Sequence, residues 1–469
     1  MLIDNATLAD GRECDVRVSG QRIAEVRDAG TLDAESGERT VDATGKRLLP
    51  GMIDVHVHFR QPGFDHKETW ETGSKSAAAG GVTTVVDQPN TEPPTIDGES
   101  FDAKAALAAE SVVDFGINGG VTDEWQPAEL FERDLFALGE VFLADSTGEM
   151  GIDGTLFSEA LTQATAADVT VTVHAEDATL FNESAKERTD ADAWSAYRTA
   201  RAESEAIRRA CALAAQRDAR IHIAHTSTPE GIDIATEAGM TCEVTPHHLF
   251  LSREDYDELG THGRMNPPLR RERLRQQVYD RVADGTVDMI ATDHAPHTAA
   301  EKDTDIWSAP SGVPGVETVL PLLLAEAERG KFSYERVRDL TAANPADTFA
   351  LSAKGRIEPG NDADLVLVDP EAVEPIRAES LHTKCGWSPF EGRDAIFPEW
   401  TMVRGEMAYE RNAEEPFGEA RGRNVRASPE EGSQTDPPET APEEQETAAE
   451  KSGTDSETSD QSGGTDHSA

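Results

Sequence analysis

The sequence predicts an α/β protein with three parts. A (β/α)8 TIM-type barrel spans residues 51–353, and a small β-sandwich domain is built from both chain ends, residues 1–50 and 354–411. An acidic tail over 412–469 is expected to be disordered. Three observations carry this reading. Eight segments with strand character recur between Pro50 and His294, most of them separated by amphipathic helical stretches, which indicates a parallel sheet closed into a barrel. Short alternating segments broken by Asp-Gly, Ser-Gly and Thr-Gly turns open the chain, and short strands recur after the barrel. Beyond about Val425 large apolar residues nearly vanish, so that segment cannot bury enough area to offset its ordering entropy.

Taken in order, the first strands are carried by LIDNATLADG, CDVRVSGQRIAEV and TVDATGKRLLP. The barrel strands are IDVHVHF, VTTVVDQ, DFGINGGV, GEVFLAD, VTVTVHAE, RIHIAHTS, TCEVTPHH and VDMIATDH. Helical stretches such as ESFDAKAALAAES, ESEAIRRACALAAQRD and REDYDELG separate them. GRIEPGNDADLVLVDP and WTMVRGEMAYE then return to complete the sheet begun by residues 1–50. An open doubly wound sheet is the alternative, but no GxGxxG follows the first barrel strand, so its dinucleotide-binding version has no support.

Charge narrows the partners. Across 469 residues, 90 Asp+Glu oppose 43 Lys+Arg, for a formal charge of −47. Such a surface repels phosphate backbones and anionic headgroups, which argues against nucleic acid and membrane as partners. Only 10 of the cations are Lys, and the acid is spread along the whole chain. This resembles proteins of salt-loving cytoplasms, where concentrated salt screens self-repulsion; an acidic interaction surface is the alternative. Cys14, Cys211, Cys242 and Cys385 form no CxxC pair, against a disulfide framework or a thiolate zinc site. No basic start with an apolar run opens the chain, and no stretch approaches 18 apolar residues, so a cytoplasmic protein is expected.

The chemistry gathers at strand ends, where barrel active sites are built. His56, His58 and Arg60 alternate along the first barrel strand and share one face. Strand five ends in His174, strand six in His225 and strand eight in Asp293. A lone strand-end histidine is usually structural, but four imidazoles and a carboxylate at one rim suit one or two zinc ions. His222, three residues before His225, is expected on the opposite face against helices. His247 and His248 are left as structural residues or as groups that orient ligands.

The motifs GMIDVHVHFRQPG, GGVTTVVDQPNTEPP, MNPPLR, ATDHAPHT and GVPGVETVLPLLL, in this order, resemble the dihydroorotases of the amidohydrolase superfamily over about residues 1–410. The resemblance implies two Zn2+ per subunit, with His56, His58 and Asp293 at one ion and His174 and His225 at the other. It implies that Arg60, Asn90 and His297 hold a substrate carboxylate, that Asn266 bonds the ring, and that backbone near Ser311 and Gly312 closes the site. Asp293 would carry the proton as N-carbamoyl-L-aspartate closes to L-dihydroorotate plus water, a step of pyrimidine biosynthesis. Allantoinases and hydantoinases share the metal core, but their substrates lack the ring carboxylate, so Arg60 favours the dihydroorotase reading. An inactive scaffold relative would typically lack part of the metal set, and here every member is present. A homo-oligomer is possible, since GVPGVETVLPLLL suits an apolar interface helix or a barrel helix packed on its own strand.

One departure stands out. Many relatives bridge their metals with a carboxylated lysine near the end of strand four, and the stretch Gly139–Asp145 contains no lysine. Glu140 is expected to bridge instead, with Asp145, or no bridge at all, as alternatives. Reach is the difficulty: a lysine carbamate extends three bonds further, roughly 3–4 Å. Strand four must therefore bow inward.

Overall fold

The computed structural model describes residues 1–144 and 150–427. Alternation at the start of the chain becomes β1 (Leu2–Thr7), β2 (Glu13–Ser19), β3 (Arg22–Asp28), β4 (Thr40–Asp42) and β5 (Arg47–Pro50). The barrel strands follow: β6 (Met52–Val57), β7 (Val82–Asp87), β8 (Asp114–Ile117), β9 (Leu138–Phe142), β10 (Val171–His174), β11 (Ile221–Ile223), β12 (Thr241–Val244) and β13 (Met289–Ile290). All eight overlap the segments expected, with β6 and β9 each starting one residue earlier. The returning strands are β14 (Leu365–Pro375), β15 (Asp394–Val403) and β16 (Glu406–Glu410).

Strands β6–β7–β8 and β9–β10–β11–β12–β13 pair in parallel within two arcs. Single bridges join the arcs, Gly119 to Leu138 on one side and Val57 to His294 on the other, so the sheet closes. Every residue of β6 to β11 is buried, as expected for parallel strands covered on both faces. The covering helices start at capping side chains. Thr69 accepts from Thr72 N–H ahead of Trp70–Ala79, Asp97 from Ser100 N–H ahead of Gly98–Ala108, and Thr199 from Ala202 N–H ahead of Ala200–Ala215.

Both chain ends share one sheet, ordered β16–β15–β14–β5–β1–β2–β3, with β4 alongside β1. Ile3, Val16, Ile23 and Leu48 from the first fifty residues pack there with Leu365, Leu367, Trp400 and Met402 from the return strands. The apolar run in GVPGVETVLPLLL is spent inside the chain. Helix Val319–Glu328 buries Val319, Leu320, Leu323 and Leu324 in the main core and Leu322 against Ala395 of β15. No helix of the described residues is long and apolar enough to cross a membrane.

The tail requires a correction. Composition predicts disorder from residue 412, yet residues 412–427 run along the folded body. Phe417 sits 5.3 Å from the Tyr409 ring. The amides of Arg421 and Gly422 donate to Ser111 O, and Val425 N–H donates to Phe115 O. Two apolar anchors and a set of backbone hydrogen bonds suffice to order a polar stretch. Residues 428–469, to which the rest of the expectation applies, lie outside the described residues, as does Asp145.

Candidate active site

The expected site residues come from seven strand ends and the segments that follow them. On β6, Asp54 accepts from Thr292 N–H at 3.0 Å and so ties this strand to the residue before Asp293. His56 Nδ1 lies 2.6 Å from Glu243 Oε1 of β12, and His58 Nδ1 lies 2.7 Å from Asn90 Oδ1. Asp293 Oδ1 stands 3.1 Å from His58 Nε2 and 3.6 Å from His56 Nε2. His174 Nε2 lies 3.1 Å from Glu176 Oε2, an acid gripped in turn by Arg198 Nε at 2.8 Å.

Glu140 sits between the two groups. Its Oε1 is 3.0 Å from His174 Nδ1 and 2.5 Å from His225 Nε2, while its Oε2 is 3.4 Å from His56 Nε2. Two overlapping sets, His56/Glu140/His225 and His56/His58/Asp293, bring their ligand atoms within 4.8 Å of one another. His56 Nε2, in both sets, is buried with no hydrogen-bond partner among the described residues, which suits an atom aimed at an ion.

Electrostatics agree. Glu140, Glu176, Glu243 and Asp293 converge here with Arg198 as the fixed cation paired to one of them. Burial opposes their charge, but neighbouring imidazoles outweigh it and hold Glu140 well below the usual carboxylate range. Reciprocally, burial disfavours charge on the histidines, yet Glu140 and Glu243 raise His56 well above normal, and Glu140 and Glu176 raise His174 to about 9. A cavity this rich in carboxylate calls for a cation. Nitrogen and oxygen donors in this number fit a divalent metal. Backbone strain is present at the same place: Arg60, His225 and Asp293 hold positive φ of 66°, 32° and 46°.

The opposite wall faces a small pocket that His58, Glu140, His225 and Asp293 also line. Arg60, Asn90, Asn266, Ser311 and Gly312 all line it. Arg60 is buried, donates from Nε to Pro296 O at 3.2 Å, and forms no ion pair with any carboxylate of the described residues. Burial pushes its guanidinium down to about 10. His297 stands behind it, Nε2 lying 2.9 Å from Ser311 O and 3.1 Å from Arg60 Nη2, while Lys67 Nζ donates to its Nδ1 at 3.1 Å. Asn266 Oδ1 accepts from Trp194 Nε1 at 3.0 Å. At Gly312, with φ 132°, a Cβ would meet Ala295 O at 2.5 Å, so only glycine lets this segment close over the pocket.

His222 needs correcting. Instead of facing only helices, its Nε2 lies 3.0 Å from Glu243 Oε2, the carboxylate that also holds His56. The alternation argument fails because β11 ends at Ile223 and His225 turns to positive φ. Sequence reasoning also missed Glu243, Glu176, Arg198 and Lys302. Lys302 Nζ donates to the carbonyls of Arg264, Pro310 and Gly312. The available signal for Glu243 was an acid inside the apolar strand TCEV. Of the two neighbouring histidines whose role the sequence leaves open, His248 bonds Thr245 and Pro267, and neither nitrogen of His247 has a hydrogen-bond partner among the described residues.

Residues 47–425 match the amidohydrolase family. The chain belongs to the amidohydrolase family. Within it, the chain is 62% identical over 427 residues to a dihydroorotase of Halobacterium salinarum, covering 91% of this chain and 99% of that protein. It is 43% identical over 416 residues to a dihydroorotase of Methanosarcina acetivorans, covering 85% and 89% respectively. Among solved structures, this amidohydrolase is similar to an L-hydantoinase (dihydropyrimidinase) of Arthrobacter aurescens, with TM-score 0.85, 28% identity, and 90% of this chain and 98% of that one covered. Amidohydrolase membership and these neighbours imply a TIM-barrel-type fold with an added sheet domain and a divalent metal.

Proposed function

We propose that this amidohydrolase is a dihydroorotase, which reversibly closes N-carbamoyl-L-aspartate to L-dihydroorotate and water in pyrimidine biosynthesis. The carrying observation is Arg60: a buried guanidinium that pairs with no carboxylate of the described residues faces a pocket whose other wall is the carboxylate–imidazole cluster. Burying such a charge is costly, and an anionic ligand offsets that cost. Asn90 and His297 flank it and complete a carboxylate subsite. Asn266 takes the ring, and the Ser311–Gly312 backbone covers it.

His56, His58 and Asp293 would hold one Zn2+ and His174 and His225 a second, with Glu140 available to both. When bound, the divalent metal supplies Lewis acidity that polarises the ring carbonyl and makes water nucleophilic near neutral pH. Asp293 takes the proton of the attacking water and delivers it to the ring nitrogen as the amide bond breaks; in ring closure it moves the proton the other way. Glu243 and Glu176 keep His56 and His174 oriented.

Purified protein assayed side by side with dihydroorotate, allantoin and hydantoin should turn over dihydroorotate at least about tenfold faster, the minimum expected for one charged contact. Chelation should abolish the activity and added zinc restore it. Comparable hydantoin turnover would favour the hydantoinase reading, and chelator-resistant activity would remove the metal.

The acidic composition further supports a cytoplasm rich in salt. Melting temperature should rise between 0.1 and 2 M KCl, as the Debye length falls from about 10 Å to a few ångströms. A flat series would leave the 90 acids without a halophilic explanation.

A further inference from the structure

Strand β9 is bulged at the residue that matters. Val171 pairs with Leu138 and Val173 with Val141, so β9 spends three steps where β10 spends two. The extra residue lies at Gly139–Glu140, where a β-bulge re-aims a side chain and leaves backbone groups off the ladder. Gly139 holds φ 134°, and a Cβ there would sit 2.3 Å from Thr172 O. This is the inward bow that a short glutamate needs in place of a long lysine.

A bulge inside a barrel leaves a buried N–H that must find a partner. Gln88, 2% exposed at the end of β7, supplies it: its Oε1 accepts from Glu140 N–H at 2.8 Å and from Asn118 Nδ2 at 3.0 Å. Its Nε2 donates to Val55 O of β6 at 3.2 Å. Lys104 Nζ donates to Gln88 O at 2.6 Å and pairs with Asp87 at 2.7 Å, fixing the backbone beneath. One amide thus connects β6, the end of β8 and the bulge of β9.

We infer that Gln88 is a positioning residue for Glu140, the pair replacing a carboxylated lysine by a bulge whose freed amide Gln88 holds. The inference rests on Glu140 being the shared ligand. Gln88 touches no substrate and acts through where it puts the carboxylate.

The test is metal binding, read without substrate. Gln88→Met keeps the side chain's length but offers no comparable acceptor. In the folded variant, zinc measured by mass spectrometry after gel filtration should fall from two ions to one. Competition with a chromophoric chelator should show the weaker ion loosened by about 10- to 100-fold and the tighter one unchanged. Asn118→Ala removes the donor that steadies Gln88 Oε1 and should loosen the weaker ion by about three- to tenfold, less than full loss of an outer partner. It serves if Gln88→Met does not fold. Two ions at native affinity in a folded Gln88→Met, or in Asn118→Ala where Gln88→Met does not fold, overturn the inference. If Glu140→Ala alone loses an ion, Gln88 is dispensable and Glu140 stands; if Glu140→Ala also keeps both, the shared-ligand reading fails with it.

Discussion

Glu140→Ala is expected to leave a folded protein that binds one metal ion instead of two, with kcat/KM down at least about a thousandfold, or ~4 kcal/mol. The carboxylate faces His174 and His225 with one oxygen and His56 with the other, so its removal takes a ligand from both groups at once. It also leaves imidazoles facing one another, since His174 Nδ1 and His225 Nε2 are 3.0 Å apart with Glu140 Oε1 against both. Loss of the anion removes one of the two carboxylates that raise each of the His56 and His174 pKa values, so both should titrate lower in the metal-free variant, visible in imidazole NMR shifts. Because Glu140 is an anion already, removing bicarbonate should change nothing in the wild type. Asp145→Ala should keep both ions. Two ions and full activity in Glu140→Ala would end the assignment, and loss of an ion only in Asp145→Ala would move the bridge there.

Much of this site is legible in the sequence, for a physical reason. Parallel barrel strands point alternate residues into a common mouth, so His56 and His58, and the strand-end His174, His225 and Asp293, declare themselves by position. What fails is whatever depends on register or on charge in context. The bulge at Gly139 is a pairing irregularity, and pairing is not written in a single segment. Glu243 and Glu176 are buried counter-ions, but in a chain with 90 acids each reads as one more surface carboxylate. The expected place of His222 follows from a rule that holds only while a strand continues, and β11 stops one residue later. The ordered start of the tail depends on Phe417, Val425 and backbone hydrogen bonds, which composition averages away.

Replacing Arg60 with methionine should separate recognition from metal chemistry. A charge-assisted contact contributes about 1.5–3 kcal/mol, so kcat/KM for dihydroorotate should fall about ten- to hundredfold or more. Metal content should not change, because among the described residues Arg60 hydrogen-bonds Pro296 and His297 and none of the side chains assigned to metal. Turnover of dihydrouracil, the same ring without its carboxylate, should hold or rise, since that substrate leaves the guanidinium unpaired. Stability gives an independent sign. Burial disfavours the Arg60 charge and lowers its pKa to about 10, so in free enzyme the charge opposes folding at neutral pH, an opposition relieved only as pH rises through and above that value. Arg60→Met should therefore melt no lower than wild type, while losing most of the stabilisation that dihydroorotate confers. If the variant keeps wild-type kinetics on dihydroorotate, the carboxylate is held elsewhere. A proportional loss on both rings would make Arg60 a structural residue of the pocket wall and return the hydantoinase reading to contention.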